Sequence, residues 1–243
     1  MEREWFEHWF DTPYYHILYK DRDHTEARQF IDNLLAYLQP SKHSQILDLA
    51  CGKGRFSVFL AEKGFEVTGV DLSVESIEHA KQYENEHLSF FTHDMRLPFR
   101  TNAFDYIFNF FTSFGYFEDN RSHRQTLQSV VKGLNKDGLF VLDFLNVVTT
   151  AKKLQKRQQK TVGGIKFLIR RKIEAGYIIK TIRFKDDDQP FRFQEKVRAF
   201  RLQDFQDLFD RCGLEITQLF GNYQLEPFEP ETSDRLIILG RKK

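Results

Sequence analysis

The chain predicts a doubly wound α/β fold, a mostly parallel sheet of about seven strands, with an inserted antiparallel β-sheet. Three observations predict it. Short apolar runs alternate with helix-spaced stretches between residues 46 and 144, a glycine turn follows the first run, and residues 162–200 switch to strand-like alternation. Crossovers between parallel strands are right-handed, and such a sheet binds its ligand at the carboxyl ends of the strands.

Residues 1–20 carry Trp5, Phe6, Trp9, Phe10, Tyr14, Tyr15 and Tyr19 at amphipathic spacing, with a break at Pro13. Aromatics this dense either pack the segment down or form a lid, and Tyr15 and Tyr19 are the candidates for touching a ligand. A helix over 23–38 is signalled by the Asp23 and Glu26 capping-box pattern and a stripe through Ala27, Phe30, Ile31 and Leu34. Residues 46–50 form the first strand, whose one polar residue is Asp48. The turn Cys51-Gly52-Lys53-Gly54, a helix over 56–62 stopped by Gly64, and a strand over 65–70 complete the opening unit. Ser73 caps a helix to about residue 86, and 88–92 is the third strand. The fourth, 104–111, leads to an aromatic loop with Phe110, Phe114, Tyr116 and Phe117 at the ligand edge; helix 121–135 and strand 139–144 follow.

Residues 151–160, AKKLQKRQQK, hold five positive charges and no acid, and read as a solvated helix or linker rather than a nucleic-acid patch. Three β-like runs, 162–173, 177–185 and 191–200, build the insertion, with a hairpin turn at 186–190. Helix 204–212 ends at Gly213, and strands 214–220 and 235–240 return to the main sheet. The expected division is an aromatic lid and first helix (1–40), a ligand-binding core (41–150), a substrate-side antiparallel sheet (151–200) and completion of the core (201–243).

With 36 basic and 35 acidic residues among 243, bulk charge steers the chain to no anionic partner. Two cysteines exclude a disulfide scaffold, no stretch is long and apolar enough to span a membrane, and a soluble cytoplasmic protein is expected. His79, His87 and His93 lack metal-ligand spacing, so no metal site is expected and all three read as surface histidines.

Asp71, ending the second strand, is placed to accept ribose hydroxyls. The dinucleotide fingerprint is incomplete because Ser57 occupies its third glycine position. Asp48 would repel a pyrophosphate and suits an ammonium group, which argues against NAD.

At these residues the sequence resembles the class I S-adenosylmethionine-dependent methyltransferases. The resemblance covers about residues 25–146: the Asp48, Ala50, Cys51, Gly52, Gly54 loop, Asp71, the stretch HDMRLPF with Asp94 and Met95, FDYIFNFFTSFGYF, and LNKDGLFVLDFLN. It implies the Rossmann-like methyltransferase fold, seven strands with a reversed last hairpin, and S-adenosylmethionine as cofactor, released as S-adenosylhomocysteine. The cofactor-binding set it implies is Asp48, Ala50, Gly52, Gly54, Asp71, Leu72, Asp94, Met95 and Phe110. Tyr15, Tyr19, Phe114 and Tyr116 are the substrate-pocket candidates. A small-molecule methyl acceptor is expected, with nucleic acid disfavoured because Asn109-Phe110-Phe111-Thr112 lacks the prolines of the nucleic-acid tetrad. A cofactor-binding regulator without turnover is the alternative. No catalytic residue is assigned; His16, Tyr116, His123 and Tyr223 are possible bases.

Overall fold

A computed structural model describes residues 4–20 and 24–243. Asp23 and the side chains of Glu26 and Ala27, expected to cap and pack the third helix, lie outside the described residues. The segment opens with two short helices, α1 (Trp5–Trp9) and α2 (Pro13–Leu18), the second started by Pro13 and by Thr12 accepting from the Tyr15 amide. Next come α3 (His24–Leu38), β1 (Gln45–Leu49), α4 (Arg55–Glu62), β2 (Glu66–Asp71), α5 (Val74–Ala80), β3 (Leu88–Thr92), β4 (Phe104–Asn109), α6 (Asn120–Gly133) and β5 (Leu134–Leu145). Helix α5 is shorter than expected, because the chain tightens into a single 3-10 turn at Lys81–Tyr83.

The insertion differs from expectation in one respect. After α7 (Val147–Lys152), the basic stretch enters a strand, β6 (Arg157–Val162), so the second sheet has four strands with β7 (Ile165–Glu174), β8 (Tyr177–Asp186) and β9 (Gln189–Arg198). All its pairings are antiparallel. The β8–β9 loop is the two-residue Asp187-Asp188 turn, φ 45° and 61°, a geometry that matches the twist of a hairpin. Helix α8 (Leu202–Cys212), β10 (Leu214–Phe220) and β11 (Arg235–Lys242) return to the main sheet.

That sheet has seven strands in the order β10-β11-β5-β4-β1-β2-β3. Strand β11 runs antiparallel to both β5 and β10, and the other pairs are parallel. Helices cover both faces. Phe30, Ile31 and Leu34 of α3 with Phe59 and Leu60 of α4 pack on one, and Leu127 of α6 with Phe205 and Phe209 of α8 on the other. A third cluster joins the N-terminal helices to the insertion: Trp9 and Leu18 pack on Phe167, Ile182 and Phe184. Burial of Trp9 removes on the order of 200 Å² from water, worth roughly 5 kcal/mol at about 25 cal/mol per Å². Among the described residues no helix is long and apolar enough to cross a membrane.

Candidate active site

The β1–α4 turn is held by the next strand. The Ala50 and Cys51 amides donate to the Val70 carbonyl at 2.8 and 3.0 Å, and the Gly52 amide donates to Asp71 Oδ2 at 2.8 Å. Asp71 also accepts from the Ser73 amide at 2.9 Å, so one carboxylate ties the glycine turn to the start of α5. The two glycines do different work. A Cβ at Gly52 would meet nothing within 4 Å, so this backbone borders open space; a Cβ at Gly54 would lie 2.4 Å from the Phe90 ring. Gly54 therefore serves packing.

Asp48 is buried, with Ser57 Oγ donating to its Oδ2 at 2.6 Å. Burial pushes its pKa up to about 6. Arg55 attracts it through Coulomb interaction alone, and no lysine or arginine forms an ion pair with it among the described residues, so the acid can still take a cationic partner. Asp71 is likewise raised by burial, against the backbone amides it accepts from.

These groups open into one cavity of about 1040 Å³, which runs from the glycine turn to the inner face of the four-stranded sheet beneath α1 and α2. Asp48, Ala50, Gly52, Asp71, Leu72, Asp94, Met95, Phe110, Tyr15, Tyr19 and Tyr116 all border it. Gly54 and Phe114 do not. The Phe114 ring turns into the core between α6 and α8, 5.2 Å from His123 and 5.9 Å from Phe200 and Phe205, where burial outweighs any pocket role. His123 is buried with it, off the cavity wall. Contrary to expectation, His79 and His93 border the cavity rather than bulk solvent alone.

Other wall residues were invisible to spacing. From the insertion come Lys180 and Glu195: Tyr19 Oη donates to Glu195 Oε1 at 2.6 Å, Trp9 Nε1 to the same oxygen at 2.9 Å, and Lys180 pairs with Glu195 Oε2 at 3.3 Å while donating to Tyr19 Oη. Asp94 is forked by Arg96, whose Nη2 lies 2.7 Å from Oδ2; against the desolvation of its site, this guanidinium holds the carboxyl below its usual range. Arg96 also pairs with Glu4 at 2.8 Å, and Ser73 Oγ donates to Asp11 Oδ1 at 2.6 Å. Both acid-bearing loops thus grip the N-terminal segment. His16 brings to the wall a buried Nε2 without a hydrogen-bond partner. Desolvation, then Lys53 and His79, lower its pKa to about 4, so the ring is neutral at pH 7. Tyr223 borders the cavity and donates to Asp143 at 3.2 Å. No group of three or more His, Cys, Asp or Glu among the described residues could hold a metal.

Comparison with known proteins points to one kind of domain. A methyltransferase-domain family matches residues 46–138, the stretch holding the glycine turn and all three wall aspartates. The Bacillus subtilis (strain 168) protein YqeM, which bears a methyltransferase name, is 28% identical over 209 residues, 82% of this chain and 84% of that protein. The chain carries a methyltransferase domain. An S-adenosylmethionine-dependent methyltransferase from Clostridium acetobutylicum shares the fold at a TM-score of 0.78, with 20% identity, covering 94% of this chain and 96% of that one. CalS10, an amino pentose methyltransferase from Micromonospora echinaspora seen with S-adenosylmethionine bound, superposes at 0.70, with 15% identity over 96% of this chain and 98% of that one.

Proposed function

We propose that this methyltransferase acts on a small polar molecule by in-line displacement. The cofactor would be held by Asp48, Ala50, Gly52, Asp71, Leu72, Asp94, Met95 and Phe110, with Gly54 shaping the turn behind them. The acceptor would lie against Tyr15, Tyr19 and Tyr116. One observation carries the reading: a single cavity of about 1040 Å³ has the glycine turn at one side and Glu195, Lys180 and Val197 of the insertion at the other. That volume is at the top of the range of about 300–1,000 Å³ for small-ligand sites, room for a nucleoside cofactor and a second small molecule.

The cofactor fits what the residues lack. Buried Asp48 wants a cation, which an ammonium group supplies, and the open side of Gly52 admits a ligand against the backbone. When bound, S-adenosylmethionine supplies a methyl group already activated on a sulfonium. The chain's part is to align the acceptor and exclude water, effects worth roughly 7–11 kcal/mol in favourable cases. Aromatic faces at Tyr15 and Tyr116 tolerate positive charge without solvating it. Glu195 with Lys180 offers the acceptor both a carboxylate and an ammonium, and His16 offers an unpartnered ring nitrogen to its reacting group. Such a wall suits a hydroxylated or aminated molecule, and CalS10, a neighbour in fold and an amino pentose methyltransferase, supports that class.

Methylation of a nucleic-acid base in this cavity is the weaker reading. Asn109, at the head of the tetrad position, is fully buried and off the cavity wall, its Nδ2 donating to the Leu49 carbonyl at 2.8 Å and its Oδ1 enclosed without a partner, so neither amide atom reaches a base. The test is transfer from methyl-labelled S-adenosylmethionine into separated metabolite, RNA and protein fractions. Label is expected in the metabolites; label confined to macromolecules, or no transfer beyond the cofactor's own breakdown, rejects the proposal.

A further inference from the structure

The four-stranded sheet has a second face, turned away from the cavity. Along β7 the buried residues are Ile165, Phe167 and Ile169, so Lys166, Leu168 and Arg170 point outward. The pairing carries this parity across the sheet: Arg157 lies opposite Arg170, Leu168 opposite Arg183, and Arg183 opposite Arg192. Arg157, Lys166, Arg170, Arg183, Lys185 and Arg192 are all exposed and have no ion-pair partner among the described residues. Glu174 is the one acid that the strands place on this face, and it is already paired with Lys172. Two arginine pairs therefore stand directly cross-strand with nothing between them, an arrangement that costs stability in isolation. Because the chain as a whole is only +1, the rest of its surface is net acidic and the positive charge is gathered here.

We propose that this outer face binds a nucleic-acid strand through its phosphates. Residues two apart on a strand are spaced by about 6.6 Å and neighbouring strands by about 4.8 Å, giving a ladder of guanidinium forks suited to successive phosphate oxygens. Other occupants fit less well. A second copy would set positive charge against positive charge in a two-fold contact. A membrane surface would favour apolar side chains among the cations, yet the large exposed apolar residue here is Leu168 alone, and the insertion's phenylalanines face inward. A protein partner would favour exposed aromatic anchors; Tyr177, the aromatic on this face, is covered by Lys196 and Arg198, 4.4 and 4.9 Å from its ring. Lacking stacking platforms, the face reads backbone and not sequence. The sheet itself separates it from the cavity, so the bound strand is not the methyl acceptor and instead holds the enzyme on a polyanion.

The test uses the full chain with a fluorescein-labelled oligouridine, read by anisotropy over a salt series. Binding at low salt is expected, weakening with salt at a slope of about −0.7 per phosphate contacted. Arg183→Glu with Arg192→Glu should reduce affinity at least about tenfold and flatten that slope. The same variant should bind S-adenosylhomocysteine as the wild type does, since neither residue borders the cavity. No binding at low salt, equal binding by the variant, or capture by phosphatidylserine vesicles in place of the oligonucleotide overturns the proposal.

Discussion

Asp48 links residue chemistry to pH. Burial raises its pKa from 3.8 to about 6, so the folded protein favours the protonated acid. Its contribution to stability is fully present below the unfolded-chain value and is lost as pH rises through about 6. An ammonium ligand needs the carboxylate, so binding S-adenosylhomocysteine near pH 5.5 should release a proton, and affinity should rise with pH until about 6. Calorimetry in buffers of different ionisation heat reads this directly; identical heats at pH 5.5 would remove Asp48 as the ammonium partner. The glycines make a second pair of expectations. Gly54→Ala drives a Cβ into Phe90 at φ 76° and should cost about 1–3 kcal/mol by urea unfolding. Gly52→Ala, clear of atoms within 4 Å, should cost only its left-handed strain of about 1–2 kcal/mol while weakening S-adenosylhomocysteine binding. Equal cofactor affinity in Gly52→Ala would place the ligand elsewhere. Asp48, Gly52 and Asp71 could be read from sequence because each stands at a fixed offset from a strand end. Ser57 was noticed only as a missing glycine, since its bond to Asp48 ties α4 back to β1 across the glycine turn, a link that no spacing rule names.

Among the elements, the N-terminal segment was legible as aromatic and amphipathic, but its partner was not. Trp9 and Tyr19 meet Glu195 across 186 and 176 residues of chain, and no local pattern announces such a pairing. Strand β6 escaped for a different reason. Val162 is its one buried residue, so a basic edge strand shows none of the apolar alternation that marked the other three. Glu195→Ala removes the oxygen that accepts from both Trp9 and Tyr19 and the carboxylate that pairs with Lys180, at roughly 1.5–3 kcal/mol for a bond to a charged group. The chain's two tryptophans both lie in α1, so emission reports this helix directly. A red shift in the variant, with far-UV dichroism unchanged, is expected; unshifted emission would mean that apolar packing alone seats the segment.

For the whole molecule, the cofactor is a folding ligand. At a hundredfold excess over its Kd, S-adenosylhomocysteine should add about 2.7 kcal/mol, raising the Tm by roughly 5–11 °C for about 2–4 °C per kcal/mol at this size. NAD should not, and a Tm raised by NAD alone would overturn the cofactor assignment. The doubly wound sheet was legible because its parallel strands are near-continuous apolar runs, and the reversed last hairpin came through resemblance, since strand order leaves no trace in periodicity. That order has a consequence for how the protein is made. Strand β11 sits between β5 and β10, and roughly ninety residues are translated between the end of β5 and the start of β11. At about 5–20 residues per second on the ribosome, β5 waits some seconds with Phe140, Val141 and Leu142 beside an unpaired edge. The nascent chain is therefore most open to chaperone capture, and to misassembly with its neighbours on a polysome, while the four-stranded insertion is being synthesised.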